Sequence, residues 1–432
     1  MFQVVRMKKN ILIGLFVSFA LSALAEVRDT MNVNIREYNN ELGFYQKANR
    51  DQGDPRFMFY DDKSRIEFGV GGTVRVTPYV SFMGETLFDA AFLSGTIEIP
   101  TDEASSFGTV LSGSEVHFKA RSFLGKHKII AFVQLGGRMD GSVGLNQAYL
   151  SFDGLSAGII PSFFMDLEVG AMTVGLCPDV QVEQVHPLIG YTYAFQNGVS
   201  LGASLEHPTL DLSDFSFVKS GKNYGVDREY QSSPDIAARA KYRWSHGHIQ
   251  LSGIFRNLVY STSDDPDAPA EDWVTRSCYG YGVSLSGNLR PIDDLKLSFQ
   301  AVYGAGIGSY ISHLSANSFD LRAASKDKDG LTVMAPVPLV AGMLSAQYDF
   351  GKKFSVSLVG EYNRLLTARQ GGLLENFRDS FAVLGNFFWN ITDYAYIGVE
   401  YNFGMRFRVP RFGTSHLYGM ASRMSAVMAY CF

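Results

Sequence analysis

The stretch PDIAARAKYRW, residues 234–244, sorts its side chains by parity. Ile236, Ala238, Ala240, Tyr242 and Trp244 fall on one face; Asp235, Ala237, Arg239, Lys241 and Arg243 fall on the other. Successive side chains of a strand point to opposite sides, so the stretch reads as a two-faced β-strand. In a soluble sandwich the apolar face packs on a core and the charges meet water. In an outer-membrane barrel the apolar face meets lipid and the charges line a wet interior.

The same alternation recurs from Arg65 onward. Val116, Phe118 and Ala120 oppose Glu115, His117, Lys119 and Arg121; Ala395, Ile397, Val399, Tyr401 and Phe403 oppose Glu400 and Asn402. The connections decide between the two folds. Tight links such as Asp153-Gly154, Asn197-Gly198, His246-Gly247 and Gly351-Lys352 alternate strictly with longer segments, near 83–113, 136–143, 165–182, 207–234, 259–273, 305–335, 365–376 and 407–416. A sandwich has no reason to gather every long loop at one end. A barrel does, with short turns in the periplasm and long loops outside. The expectation is an all-β transmembrane antiparallel barrel of about sixteen strands, over residues 64–432. The chain ends on Phe432, in parity with Tyr430, Met428, Ala426 and Met424. A terminal aromatic on an alternating last strand looks like the signal that barrel-assembly machinery reads.

Composition agrees. A mean hydropathy of zero over 432 residues excludes a helical membrane bundle, and 33 Phe and 22 Tyr suit strands and membrane interfaces. From Met7, MKKNILIGLFVSFALSALA has two lysines, a short apolar core and small residues at Ala23 and Ala25. It reads as a secretory signal over 1–25, with an uncleaved anchor the weaker alternative. Residues 26–63 read as a periplasmic extension. Met31, Ile35, Tyr38, Leu42 and Tyr45 follow helical spacing for two heptads, so a short helix and an irregular lead-in both stand. The net charge is −5, and losing Arg6, Lys8 and Lys9 makes it more negative, which argues against nucleic acid. Cys177, Cys278 and Cys431 have no metal-ligand spacing and read as free thiols, with a Cys177–Cys278 bridge as the alternative.

No catalytic, metal or cofactor motif stands. GLSAG (154–158) has the nucleophile-elbow pattern but sits between two strands instead of before a helix. GAGIGS (304–309) lacks the lysine of a phosphate loop. His246 and His248 in WSHGH read as a hairpin tip. What remains is an inward basic set: Lys119, Arg121, Arg239, Lys241, Arg243 and Arg256. Such residues line a pore and favour anions, or they are ordinary interior charges paired with acids. The third long loop, MDLEVGAMTVGLCPDVQV, is apolar for a surface loop and is expected to fold into the barrel. Its Asp166, Glu168 and Asp179 would then face the basic wall and narrow the channel.

QAYLSF (147–152), SFFMD (162–166), PDIAAR (234–239) followed by GHIQLSG (247–253), and YGAGIGSYI (303–311), in this order, resemble the DcaP-like outer-membrane porins. The resemblance spans most of the barrel. It implies a sixteen-stranded homotrimer with an inward third loop and passive uptake of small anionic solutes such as dicarboxylates. GIIPS (158–162) and HPLIGYTY (186–193) depart from that family's pattern around the constriction. Arg239 is the one arginine that matches a family position. The competing readings are a structural or adhesive surface barrel and an outer-membrane transporter of a hydrophobic solute. The first would show no stable open pore. The second would need a plug, for which residues 26–64 are short and polar.

Overall fold

The structure is a computed structural model. It describes residues 57–61, 66–84, 86, 91–101, 104–111, 113–124, 127–137, 142–175, 181–208, 210, 217–219, 222–227, 231–263, 269–312, 314, 319–366, 377–410 and 416–432. The expected signal over 1–25, most of the extension, Asp179 and Cys177 lie outside the described residues.

Sixteen antiparallel strands close into a barrel. They are β1 (Ile66–Met83), β2 (Glu115–Leu124), β3 (His127–Gly137), β4 (Val143–Phe152), β5 (Leu155–Pro161), β6 (Val185–Ala194), β7 (Val199–Glu206) and β8 (Asp235–Trp244). Then come β9 (Gly247–Ser263), β10 (Val274–Ile292), β11 (Leu295–Ala305), β12 (Pro338–Phe350), β13 (Phe354–Leu365), β14 (Asp379–Asn390), β15 (Ala395–Phe407) and β16 (Tyr418–Cys431). Each pairs with its neighbour in sequence. β16 pairs with β1 from Thr73↔Cys431 to Met83↔Ser422, so no edge is left.

Parity places the side chains as lipid and water require. Ile236, Tyr242, Leu251 and Met428 are 45, 47, 52 and 61% exposed on the outer face, although all are apolar or aromatic. The polar partners on the same strands, among them Asp235, Lys241, Gln250 and Ser425, are buried inside. A soluble fold would invert this pattern. Outward aromatics form two belts: Tyr242, Trp244, Phe350, Trp389 and Tyr430 near the short turns, and Tyr279, Tyr281, Tyr303, Tyr362 and Tyr418 nearer the long loops. Tight turns hold the short-turn end. At Asp153-Gly154 both residues have positive φ (46° and 89°), the two-residue turn whose twist matches the strands it joins.

Two features depart from simple alternation. The neighbour of β1 opposite β16 comes in two pieces, Ser106–Val110 along Thr77–Ser81 and β2 along Ile66–Thr73. Ser114 fills the gap: its Oγ accepts from Arg75 N at 2.9 Å and donates to Arg75 O at 3.0 Å. Phe57–Asp61, expected within the extension, is a strand paired with Ile66–Val70. The chain therefore joins the sheet before residue 64.

Candidate functional site: the inner wall and its third loop

The described residues of the third long loop, 162–175 and 181–184, are laid along the inner wall. A backbone buried at membrane depth must find partners for its polar groups, and inward side chains supply them strand by strand. Phe163 N donates to Glu206 Oε1 of β7 at 2.9 Å. On β9, Ser252 Oγ donates to Phe164 O at 2.8 Å and Gln250 Nε2 to Met165 O at 2.9 Å. Asn288 of β10 reaches Glu168 O at 3.1 Å, and Lys296 Nζ of β11 reaches Gly170 O at 2.8 Å. Met172 is held at N by Gln347 of β12 (3.2 Å) and at O by Asn386 of β14 (2.7 Å). Ala171 packs on Val359 of β13 and Leu384 of β14. Met172 and Val174 pack with Phe388, Tyr396, Val427 and Ala429. Arg75 of β1 donates to Val174 O. The loop is thus a belt running from β7 round to β1, and its apolar sequence is explained by the wall beneath it.

Asp166 and Glu168 sit where the belt crosses β8–β10. Lys241 Nζ is 3.4 Å from Asp166 Oδ1 and 3.1 Å from Glu168 Oε1. His248 Nε2 is 2.8 Å from Asp166 Oδ2, to which Ser286 Oγ donates at 2.6 Å. Arg243 pairs with Glu168. Both carboxylates belong to the loop, outside the spanning strands. Burial pushes each toward its neutral form, but Lys241 and His248 outweigh it and hold both below the usual carboxylate range. The expected basic patch is therefore largely neutralised at Lys241 and Arg243.

The other expected cations differ among themselves. Arg239 lies 4.4 Å over the Phe163 ring, and its Nη2 is 3.4 Å from Thr192 Oγ1. Lys119 and Arg121 fall on the inner parity of β2, and Arg121 Nε is 3.2 Å from Glu67 Oε2. Arg256, expected on the pore wall, is fully buried instead. It bonds Asp235 Oδ2 (2.9 Å), Asp320 Oδ2 (3.0 Å), Gly306 O (2.6 Å) and Ser309 Oγ (3.1 Å). The sixth long loop, residues 306–337, folds over β9 and brings Asp320 and Tyr310 onto it, so Arg256 fastens that loop and meets no water. The third and sixth loops also join each other: Val182 bridges Ile311, and Glu183 N donates to Tyr310 O at 3.0 Å.

Residues outside the expected set complete the wall. Lys296, Arg75 and Glu400 hold the belt, and His248 anchors Asp166 where its sequence reads as a turn. Arg406 Nη1 donates to Ile97 O of the first long loop at 3.0 Å, and Arg423 Nη2 to Thr86 Oγ1 at 3.2 Å. All lie on inward parity, the signal that could have found them. Ser156 of GLSAG is buried between two strands and bonds Ser151 Oγ at 3.2 Å. From the belt to the short-turn mouth runs a cavity of about 1020 Å³. Arg243, Arg290, Lys296, Lys352 and Lys353 line it, against Glu168, Asp349 and Asp393.

The family model of the Porin subfamily matches residues 65–403. Among solved structures, the chain is similar to the outer membrane channel DcaP of Acinetobacter baumannii, with a TM-score of 0.68 and 16% identity over 87% of this chain and 99% of that one. It is also similar to OmpF of Salmonella typhi in complex with daunomycin (TM-score 0.51, 10% identity, 87% and 100% covered). An anion-selective porin from Comamonas acidovorans gives a TM-score of 0.50 at 12% identity, with 85% and 100% covered. At these identities the likeness is one of fold. No curated protein sequence matches the chain.

Proposed function

The chain belongs to the Porin subfamily and is an integral outer-membrane channel protein, and from that premise we propose that it passes small hydrophilic solutes by passive diffusion with a preference for anions such as small carboxylates. One observation carries the preference: the cations around the belt outnumber its acids. Among the described residues Arg75, Arg239 and Lys296 make no ion pair; their hydrogen bonds go to neutral oxygens. Asp166 and Glu168 offset Lys241 and Arg243, and Glu400 offsets one of those three charges, so a net cationic surplus stands, and the cavity at the short-turn mouth carries a surplus of the same sign. In a narrow channel with low-dielectric walls such a surplus concentrates anions and slows cations. The anion-selective porin with the same fold is in keeping with this reading. Residues 1–25 would serve as the export signal, and Phe432 would present the last strand to the assembly machinery. We also propose a homotrimer, argued below from the outer face.

The reversal potential across a planar bilayer in a salt gradient tests the preference. It should have the sign of anion selectivity. Arg239→Gln with Lys296→Gln should move it toward cation preference and reduce dicarboxylate flux, with the barrel still assembled. An assembled double variant of unchanged selectivity would remove the anion reading and leave a general porin. No stable open pore in the native chain would favour the structural or adhesive reading.

A further inference from the structure

We propose that Glu400 is the positioning residue that fixes the far end of the belt, and with it the width and selectivity of the constriction; this rests on the channel reading above. Glu400 lies on the inner face of β15 and is buried. Its Oε2 accepts from Val174 N at 2.7 Å and from Asn386 Nδ2 at 3.2 Å. Its Oε1 accepts from Gly175 N at 3.2 Å and from Asn402 Nδ2 at 3.2 Å. One carboxylate thus takes two consecutive backbone N–H groups of the belt, while two flanking asparagines hold it in that orientation. Arg75 closes the clip from β1 by donating to Val174 O, so both polar groups of Val174 are held by charged side chains.

The clip needs an acid. In this geometry the two adjacent N–H donors go to the two different oxygens of one carboxylate; a glutamine in the same place would turn its own N–H₂ toward one of them. At the opposite end the belt is fixed many times over, by Lys241, His248 and Ser286 on Asp166 and by the backbone bridge between Val182 and Ile311. Beyond Lys296, the belt's polar anchors are the amide bonds of Gln347 and Asn386 on Met172 and the charged clip at Val174–Gly175. Loss of Glu400 therefore frees one end of the belt while its root and the barrel stay in place. A belt end lifted from β15 and β1 moves into the lumen, so pore width and selectivity change without any change in the pore's own charged lining at β8–β11.

The test replaces Glu400 by Gln in the full-length channel and reads belt and pore separately. In a background with Cys177, Cys278 and Cys431 changed to Ser, Val174→Cys provides a thiol at a site that is 1% exposed. With Glu400 intact this thiol should resist a water-soluble maleimide. With Glu400→Gln its labelling rate should rise about tenfold or more, the effect of losing one hydrogen bond to a charged group. Single-channel records of Glu400→Gln should then show several conductance levels in place of one, with a shifted reversal potential and an unchanged heat-modifiable barrel. Glu400→Asp, which keeps the carboxylate but shortens its reach, should fall between. A thiol at position 174 that stays unreactive in Glu400→Gln, or native conductance and selectivity, would overturn the proposal. Failure of both Glu400 variants to assemble would place the role of Glu400 in the barrel and overturn it as well. A native chain without channel activity would defeat the channel reading, whereas the labelling result would still report on the clip.

Discussion

Asp166 is the residue on which the inner wall turns. It is 2% exposed and receives Lys241, His248 and Ser286. Asp166→Asn removes the charge that Lys241 was buried against, and breaking a buried pair costs about 3–5 kcal/mol. Lys241 keeps Glu168, so the loss should lie near the lower bound. The expected result is a lower urea midpoint for the folded barrel together with a stronger anion preference, because the surplus of cations grows by one. Arg256→Leu should be costlier, since it leaves both Asp235 and Asp320 buried without their cation. There the readout is protease cleavage within residues 306–337, which should appear in folded barrels only in the variant. Parity made Lys241, His248, Ser286 and Arg256 legible as inward, and the apolar third loop did so for Asp166. It did not tell Arg239 from Arg256, because the difference lies in which loop returns over each strand. The Ser286–Asp166 contact spans 120 residues, and no local pattern encodes such a closure.

At the level of elements, the lipid-facing strands were legible because one face must be apolar and the other must not. Strands that escaped notice include Ser106–Val110 in the first long loop, Phe57–Asp61, and the loop hairpins Phe217–Lys219 with Lys222–Asp227 and Leu321–Lys326 with Thr332–Pro336, most of them with no bilayer to satisfy. Their polarity is unconstrained, so no period of two marks them. The last strand shows what closure requires beyond pattern. Phe432 N donates to Gly72 O, and Gly72 N to Phe432 O, both at 2.9 Å. A Cβ on Gly72 would stand 2.5 Å from Glu115 O on the β2 side and 2.8 Å from the Phe432 ring on the β16 side. Gly72→Ala should therefore impair the β1–β16 seam and lower the temperature at which the barrel loses its heat-modifiable mobility. Deletion of Phe432 should reduce surface levels further, through the same seam and, on the proposed assembly role, through lost recognition. Native surface levels of both variants would detach Phe432 from closure.

For the whole molecule, the wall is uneven, and this supports the proposed trimer. β5 has 7 residues and β7 has 8, against 17 in β9 and 19 in β10. A tilted strand needs about 9–11 residues to cross the apolar core, so β5 and β7 alone leave part of it uncovered. Among larger outward residues such as Ile189, Leu201 and Ile236 runs a row of small ones: Ala203, Ala238 and Gly253 lie side by side in register across β7–β9, with Ala157 on β5 and Ala240 on β8. Small residues let two barrels approach closely, and packing of that kind replaces the hydrophobic effect as the attraction within a membrane. In the proposed trimer a neighbouring copy seated there would cover the low wall, and a cyclic arrangement of three would let each copy do so for the next. The protein extracted in mild detergent should have the mass of three chains. Ala203→Trp with Ala238→Trp adds bulk only on the lipid side of this patch, so it should yield monomers whose β-rich circular dichroism and single-channel conductance are those of the native barrel. A native chain that is monomeric by mass would overturn the trimer. So would a double-tryptophan variant that still runs as three chains, because the low wall would then face lipid.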